Sequence, residues 1–488
     1  MIFCDGSFIR KGKINFMKQQ VFNPYMPSWE YVPDGEPHVF GDRVYVYGSH
    51  DRFNGYAFCL NDYVCWSAPV DDLSDWRYEG VIYKKTDDPK NPDGEMCLYA
   101  PDVTKGADGR YYLYYVLDQL PIVAVAVCDS PAGKYEFYGF VHYEDGTLLG
   151  EGRNDEPQFD PGVLFEDGNV YLYTGFCPAP FLDRSGPMVT VLDSDMLTIK
   201  EAPRFIAPST HLSKGSGFEG HEFFEASSIR KFNGKYYFVY SSTAMHELCY
   251  AVSDSPVEGF QYQGVIVSNV DKGINTYKQA DQPMAYGANN HGGIEYINGE
   301  YYIFYHRHTN GNSFNRQGCA EKIQILPDGK IKQAEMTSCG LNGGPLKGEG
   351  EYPAYIACQM FCKTPRMYTG DMARDMGPEF PRITQEGRDG DENPGYISNM
   401  EDGAVAGFRY FDCKDVKKIR VKVRGCFGPG KFEILTKWDG EVIGEIPCKR
   451  SNEWHWEENE VVLPDGIQAI YFRYVGPGAL SFAAFELL

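Results

Sequence analysis

A hairpin unit that recurs five times constrains the fold of this chain more than any other feature. The clearest copy, residues 159–173, reads as a short apolar strand, an Asp-Gly turn and a second strand of alternating apolar and aromatic residues. The second strands are residues 44–47, 111–114, 170–173, 236–239 and 301–304. Their equivalent residues Tyr45, Tyr112, Tyr171, Tyr237 and Tyr302 lie 67, 59, 66 and 65 residues apart. Small sheets repeated at this interval predict a five-bladed β-propeller.

The pattern divides the chain into a propeller and a second β domain. Residues 1–22 precede the repeat and are expected to be a lead-in, and residues 23–325 hold the five units. Residues 326–395 are predicted to be a connector or the entry strands of the next domain. Residues 396–488 show short alternating strands separated by turns such as Asp439-Gly440, which predicts a β-sandwich of the jelly-roll type. No amphipathic helix pattern is present, so the fold class is all-β.

Composition limits which classes of partner the protein binds and which cellular compartment it is expected to occupy. The net charge of −22 disfavours nucleic acid and anionic membranes as partners, and no apolar run reaches 18 residues. The first 20 residues lack the apolar stretch of a signal peptide, and the 14 cysteines show no metal-binding spacing. We therefore expect reduced thiols and a cytoplasmic protein.

Ionisable residues occur at equivalent places in the five units. Eleven residues before the repeated tyrosine stand Asp34, Asp160 and His291, and twelve before it stands Glu225; in the second unit the position is Pro101, next to Asp102. The first strand of each blade lines the central axis, so these side chains are expected to meet at one mouth. Turn or cap preferences would explain one aspartate, but they do not explain three acids and a histidine in register.

Three convergent carboxylic acids suit hydrolysis of a glycosidic bond. One acid protonates the leaving oxygen while a second carboxylate activates water or attacks the sugar. A third carboxylate nearby raises the pKa of the acid. Carboxylates on different blades leave room for a water, which favours inversion over retention.

The segments around these residues resemble glycoside hydrolase family 43. This family of five-bladed propellers contains inverting β-xylosidases, α-L-arabinofuranosidases and arabinanases. Residues 34–47, Asp160-Pro161-Gly162 and 225–229 resemble its motifs in order and at blade spacing. The resemblance implies that Asp34 is the general base, that Glu225 is the general acid and that Asp160 tunes the acid and orients the sugar.

The resemblance also bears on the axis of the propeller. Residues 100–103, which include Asp102, match a motif that is chiefly architectural. His291 resembles an axial histidine that often lies beside a metal ion or an ordered water. A structural calcium near the axis is therefore possible, with His291 as its ligand and oxygen-rich surroundings, whereas the chemistry requires no cofactor.

One departure leaves the identity of the base open. The family has Asp-Pro in the first blade, but this chain has Asp34-Gly35, with proline two residues later, after Glu36. Glu36 is therefore a rival base. Asp34 is preferred because it keeps the eleven-residue register.

Further residues are candidates for substrate binding. They are His50, Asp51, Phe53, His291 and Arg316. The C-terminal segment from Asp402 resembles a family 6 carbohydrate-binding module, in which Trp438, Trp454 and Trp456 could form a sugar platform. The alternative, which we favour, is that these tryptophans are core and that the sandwich buttresses the propeller.

The sequence thus predicts an inverting exo-glycosidase. Its substrates would be terminal β-xylosyl or α-L-arabinofuranosyl units of oligosaccharides from plant polysaccharides. Two alternatives stay open at this point: a catalytically silent sugar-binding propeller, and a glycosidase of the same fold that acts on galactosides or fructosides. The Asn-Asp-Pro motif of the fructosidases is absent from the first unit.

Overall fold

The computed structural model describes residues 19–178, 183–363 and 380–488. Most of the expected lead-in and part of the expected connector therefore lie outside the described residues. Within the described ranges the regular structure consists of β-strands and four short 3-10 helices, Lys85–Asp87, Thr210–Leu212, Gly340–Asn342 and Ala354–Ile356. No helix in these ranges is long and apolar enough to cross a membrane.

Five antiparallel sheets follow one another along the chain and form the predicted propeller blades. The first is β1 (Glu36–Phe40), β2 (Arg43–Tyr47), β3 (Tyr63–Pro69) and β4 (Arg77–Tyr83), and the second is β5 (Leu98–Lys105), β6 (Tyr111–Leu117), β7 (Ala124–Cys128) and β8 (Glu136–Phe140). The third is β9 (Gly162–Glu166), β10 (Asn169–Thr174), β11 (Met188–Leu192) and β12 (Ile199–Phe205), and the fourth is β13 (Phe223–Phe232), β14 (Lys235–Ser242), β15 (Glu247–Ser253) and β16 (Gln261–Ser268). The fifth is β17 (Ile294–Ile297), β18 (Glu300–His308) and β19 (Arg316–Ile323). The repeated tyrosines lie in the second strand of every sheet, as the sequence predicts.

The segment before the first blade closes the ring against the fifth. The backbone N–H of Tyr25 donates to the carbonyl of Gly318 in β19 (3.2 Å). The side chain of Asn23 pairs with the backbone of Ala320, donating to its carbonyl (2.8 Å) and accepting from its N–H (2.9 Å). Apolar clusters fill the spaces between blades; Val46 and Phe304, for example, pack in one cluster between the first and the fifth. Burial of these faces holds the blades at fixed positions around the axis.

Two further sheets form the C-terminal β-sandwich. One contains β20 (Leu346–Lys347), β22 (Gln359–Phe361), β25 (Val405–Cys413), β27 (Gly430–Leu435), β28 (Gly444–Cys448) and β30 (Gly466–Val475). The other contains β21 (Gly350–Pro353), β23 (Arg382–Thr384), β24 (Tyr396–Met400), β26 (Lys418–Gly425), β29 (Ser451–Glu460) and β31 (Leu480–Leu487). Phe408, Phe472 and Phe485 pack between the sheets. Strands thus enter the sandwich from residue 346 onward, within the segment 326–395 that is predicted to be a connector or the entry strands of the next domain.

The three candidate tryptophans of the sandwich lie outside the core between its sheets. Trp438 packs against Phe361, with ring centroids 4.6 Å apart. Trp454 and Trp456 are half-buried on β29, where the guanidinium groups of Arg424 and Arg420 lie 4.4 and 4.7 Å from their ring centroids. The expectation of core tryptophans therefore does not fit Trp454 and Trp456, whose rings are covered by arginines instead.

Candidate active site

Four of the residues at equivalent places in the repeat line one cavity of about 240 Å³. Asp34 precedes β1, Asp160 precedes β9, Glu225 lies in β13 and His291 precedes β17. The cavity is lined by Asp34, Phe58, Cys59, Tyr99, Ala100, Asp118, Phe159, Asp160, Phe176, Glu225, Asn289, His291 and Arg316. The four residues at equivalent places, Asp34, Asp160, Glu225 and His291, lie near the starts of the inner strands, because blades of similar length place equivalent residues at equal depth along the axis.

Asp34 is held as an anion by a buried arginine. Nη1 of Arg316 donates to both carboxylate oxygens of Asp34, at 2.9 and 3.1 Å, and Nδ1 of His306 lies 3.2 Å from Oδ1. Burial acts to raise the pKa of Asp34, but the charge of Arg316 and then His306 outweigh it and hold the pKa well below its usual value. An aspartate ionised at every working pH is suited to accept a proton from water.

Glu225 has the opposite proton state. The side chain is buried, and burial together with the charge of Asp34 raises its pKa to about 8, against the lowering effects of Arg316 and a hydrogen bond with Asn289. At neutral pH this carboxyl group carries its proton. It is therefore suited to donate that proton to a leaving oxygen.

Asp160 links the acid to the centre of the site. Its Oδ2 accepts a hydrogen bond from the backbone N–H of Ala226 (3.1 Å), the residue after Glu225. Burial, followed by the charges of Glu225 and Asp34, raises the pKa of Asp160 well above its usual value. Asp160 and Glu225 thus titrate as a coupled pair that keeps at least one proton at neutral pH.

Backbone conformation aims the two aspartates into the cavity. Asp34 and Asp160 have positive φ angles of 56° and 43°. Residues other than glycine rarely adopt this left-handed region, and aspartate is among those that tolerate it best. Such conformations concentrate at functional sites, where the surrounding structure compensates their cost.

His291 lies between the carboxylates in its neutral form. Its Nδ1 is 4.0 Å from Oδ1 of Asp34 and 3.7 Å from Oδ2 of Asp160. Burial lowers the pKa of His291 to about 4; Asp34 opposes this effect, and the charges of His306 and Arg316 add to it. A neutral imidazole at this place donates or accepts hydrogen bonds without adding a positive charge to the site.

The substrate-binding candidates divide into two groups. Arg316 and His291 line the cavity, whereas His50, Asp51 and Phe53 lie behind its wall. Asp51 accepts two hydrogen bonds from the guanidinium of Arg316, both 2.9 Å long, and a third from its backbone N–H (3.1 Å), and so holds that guanidinium in place. Nε2 of His50 lies 3.0 Å from Oε1 of Glu30, and Phe53 is buried in a stack on Tyr31. The prediction that His50, Asp51 and Phe53 contact sugar therefore does not fit their positions.

The rival base Glu36 belongs to a deeper layer. Its Oε2 accepts hydrogen bonds from Ser228 (3.0 Å) and Arg230 (2.8 Å), and the side chain is fully buried and does not line the cavity. Asp102, in the same layer, contacts His38 (2.6 Å) and the backbone N–H of Val163 (2.8 Å). This geometry favours Asp34 as the base. Glu36 and Asp102 instead join different blades near the axis through their hydrogen bonds.

One place near the axis has the donors for a cation. Oε1 of Glu36 and Nε2 of His291 are buried, accept or donate no hydrogen bond within the described part of the chain and lie 3.9 Å apart. A calcium ion binds oxygen ligands at about 2.3–2.6 Å, so the gap between these atoms admits one bridging ion or water. Only one of the two atoms is an oxygen, so these residues fit calcium in part: they would supply one carboxylate ligand and one nitrogen of the about six to eight ligands that calcium takes, and waters would have to supply the others.

Sequence reasoning missed the aromatic wall of the cavity. Phe159 and Phe176 pack against each other (centroids 4.7 Å apart), and Tyr99 contacts Phe159 (5.6 Å). Phe58 lies on the opposite loop, under the guanidinium of Arg316 (4.7 Å). Phe159 directly precedes Asp160, and Tyr99 directly precedes the motif at residues 100–103, so both could have been identified from those motifs. Phe58 and Phe176 come from loops that do not repeat.

Comparisons with known proteins agree with this site. Residues 31–331 match the family model described as "Glycosyl hydrolases family 43". The chain is similar to a xylosidase/arabinosidase of Thermoclostridium stercorarium, with 65% identity over 96% of this chain and 99% of the relative. It is also similar to a xylosidase/arabinosidase of Bacteroides ovatus, with 30% identity over 63% of this chain and 96% of the relative.

Solved structures share the architecture. An arabinoxylan arabinofuranohydrolase from Bacillus subtilis, in complex with cellotetraose, covers 95% of this chain and 97% of its own, with a TM-score of 0.50 and 20% identity. A β-xylosidase/α-arabinofuranosidase from a compost metagenome, in a calcium-free form with xylotriose, covers 63% of this chain and 96% of its own, with a TM-score of 0.50 and 26% identity. The family match over most of the propeller and the 65% identity to a xylosidase/arabinosidase over nearly the whole chain show that this chain belongs to glycosyl hydrolase family 43 and is a glycoside hydrolase.

Proposed function

We propose that the protein is an inverting exo-glycosidase of the xylosidase/arabinosidase type that removes terminal β-xylosyl or α-L-arabinofuranosyl units from xylan-derived oligosaccharides. The observation that carries this proposal is the opposite proton state of two carboxyl groups facing one cavity, Asp34 ionised and Glu225 protonated. At about 240 Å³ the cavity is smaller than the roughly 300–1,000 Å³ of drug-sized pockets. This volume suits one terminal sugar ring rather than a continuous chain.

The mechanism follows from the contacts of each group. Asp34 deprotonates a water that attacks the anomeric carbon, while Glu225 gives its proton to the glycosidic oxygen as the bond breaks. Asp160 orients the sugar and, through its coupling with Glu225, keeps a proton on the pair. Arg316 keeps Asp34 ionised, and the aromatic wall of Phe58, Tyr99, Phe159 and Phe176 presents faces for sugar stacking.

Hydrolysis of p-nitrophenyl β-xyloside and α-L-arabinofuranoside tests the proposal, with Glu225→Gln as the matched variant. We expect turnover of at least one substrate, inversion of the released sugar by NMR, and a loss on the order of 10²–10⁴ in kcat on oligosaccharides for the variant. Saturable oligosaccharide binding without release of reducing sugar would instead identify a silent binding propeller. Turnover of galactosides or fructosides alone would refute the assignment of the sugar.

A calcium ion at the axis is a second part of the proposal. His291 and Glu36 would hold it, and its charge would compensate the buried carboxylate of Glu36, whose pKa is otherwise raised to about 8 by burial and Asp102 despite Arg230. The ion would stabilise the joint between blades and take no part in proton transfer. Thermal unfolding with calcium and after chelation tests this: a lower Tm after chelation supports the site, and an identical Tm refutes it.

The cytoplasmic location is also proposed. Most cysteines in the described ranges are buried within the strands and cores, and buried, reduced thiols are typical of proteins in a reducing compartment. Fractionation of cells that express the full-length gene tests this assignment, and recovery of the enzyme outside the cytoplasm would overturn it.

A further inference from the structure

One wall of the cavity is a loop that connects β2 to β3. Residues 51–61, which we name the wall loop, turn back on themselves, so that the N–H of Gly55 donates to the carbonyl of Arg52 (2.7 Å) and the N–H of Asn61 donates to that of His50 (3.0 Å). The loop directs Phe58 and Cys59 into the cavity. Its shape therefore determines how the entrance to the site is bounded on this side.

A carboxylate from the other domain holds both ends of the wall loop. Oδ1 of Asp389 accepts the backbone N–H of Phe53 (2.7 Å), and its Oδ2 accepts Nδ2 of Asn61 (3.1 Å). Asp389 belongs to the turn between β23 and β24 of the sandwich. That turn has its own support, since Asp391 accepts the N–H of Arg388 (2.7 Å).

The propeller fixes the middle of the same loop. The side chain of Asn315 accepts the N–H of Asn54 (3.1 Å) and donates to the carbonyl of Arg52 (2.8 Å). Asn312 donates to the carbonyl of Gly55 (3.4 Å). A loop anchored at its ends and its middle presents its remaining side chains in one arrangement.

The side chain at the tip of this anchored loop is an exposed aromatic ring. The side chain of Tyr56 is 80% exposed, which is more than that of any other large apolar residue in the described ranges. It stands two residues from Phe58, so its Cα lies within about 7 Å of the Cα of a cavity residue. A rigid tyrosine offers a large contact area at a low cost in conformational entropy.

We propose that the wall loop is the aglycone-binding element of this enzyme: Tyr56 stacks on the sugar unit beyond the one in the cavity, and Asp389 of the sandwich positions that ring. The inference rests on the proposed function. It assigns the sandwich a role in substrate selection at the active site, because its turn determines where the wall loop lies.

The role of Tyr56 is tested by kinetics that distinguish binding of the sugar in the cavity from binding of the sugar beyond it. In Tyr56→Ala we expect kcat/KM for xylotriose, or the matching arabino-oligosaccharide, to fall about 3- to 10-fold, the loss of one aromatic stacking contact. The inhibition constant of the released free pentose, which occupies the cavity alone, stays unchanged. Wild-type kinetics of Tyr56→Ala on the trisaccharide would overturn the proposal.

A graded series tests the positioning role of Asp389. Asp389→Ala removes both hydrogen bonds and should raise KM for the trisaccharide as much as Tyr56→Ala does, with kcat and the pH profile unchanged. Asp389→Asn keeps an acceptor for the N–H of Phe53 and should be intermediate. Glu392→Ala is the matched control, since this residue lies in the same turn and its side chain is exposed to solvent. Equal KM values for Asp389→Ala and Glu392→Ala would overturn the positioning role.

Failure of this proposal is distinguishable from failure of the proposed function. If the wild-type enzyme hydrolyses no pentoside, the function is refuted, and calorimetry with xylotriose then measures binding by the wild type and Tyr56→Ala. A dissociation constant at least threefold weaker in the variant supports the wall-loop platform, and an equal constant overturns it.

Discussion

The proton state of Glu225 makes a quantitative prediction about leaving groups. With a pKa of about 8, about 90% of the enzyme carries the catalytic proton at pH 7, against about 0.3% for an unperturbed glutamate of pKa 4.5. Burial and the charge of Asp34 thus keep the protonated, reactive form dominant at neutral pH. The proton matters in proportion to the basicity of the departing oxygen, because a good leaving group departs without being protonated.

Glu225→Gln should therefore lose activity selectively. On oligosaccharides, whose leaving oxygen is strongly basic, we expect kcat to fall on the order of 10²–10⁴. On a 2,4-dinitrophenyl glycoside of the same sugar we expect less than about tenfold loss, because that group departs as a stable anion. Steady-state kinetics over a series of aryl glycosides would show a steep dependence on leaving-group pKa in the variant and a shallow one in the wild type.

Asp34→Asn is the matched control for this experiment. The attacking water must be deprotonated whichever group leaves, so this variant should lose activity equally on both substrates. Equal losses on the two substrates for Glu225→Gln would refute its assignment as the acid. A selective loss in Asp34→Asn would exchange the two roles.

Three further predictions test the electrostatics of the site. Above pH 8 kcat/KM should fall as Glu225 loses its proton. At low pH kcat/KM should not fall until below pH 4, because Arg316 holds the pKa of Asp34 below its usual value. An alkaline fall that persists unchanged in Glu225→Gln on the dinitrophenyl substrate would contradict this. Arg316→Lys removes the guanidinium fork, so the pKa of Asp34 should rise and kcat/KM should fall about 10- to 100-fold. The exposed substitution Arg52→Lys is the control and should leave the pH profile of kcat/KM unchanged. Glu36→Gln weakens the buried contact with Arg230 and should lower the free energy of unfolding by about 1–3 kcal/mol, the cost of a disturbed buried hydrogen bond, while retaining turnover. Loss of turnover with unchanged stability would make Glu36 the base.

The repeat made much of the site predictable from the sequence. Hairpins of constant length begin each blade, so a fixed count back from Tyr45, Tyr171 and Tyr302 reaches Asp34, Asp160 and His291, and the structure brings all three to one cavity. The count of twelve to Glu225 reflects register shifts between β13 and β14 on either side of this residue. Periodicity therefore carries information about side chains that lie on the repeating strands.

Loops carry no such information, and the predictions for the first loop show why. His50, Asp51 and Phe53 follow β2 and were expected at the mouth, but the chain reverses at positions 54 and 59, where φ is positive. The reversal turns the first three residues away from the cavity and brings Phe58 and Cys59 to it. The contact with Asp389 joins positions 336 residues apart, and neither spacing nor composition encodes that pairing.

The charges at the axis explain how one site keeps two carboxyl groups in opposite proton states. Two basic groups, Arg316 and His306, contact Asp34, whereas the second guanidinium of the axis, Arg230, is paired with Glu36 in the layer below. For Glu225, burial and then the negative charge of Asp34 raise the pKa, and they outweigh the lowering effects of Arg316 and the hydrogen bond with Asn289. The same arginine thus stabilises the base directly, and the anion that it maintains keeps the proton on the acid. Asp51 accepts hydrogen bonds from the other edge of that guanidinium and so keeps it directed at Asp34.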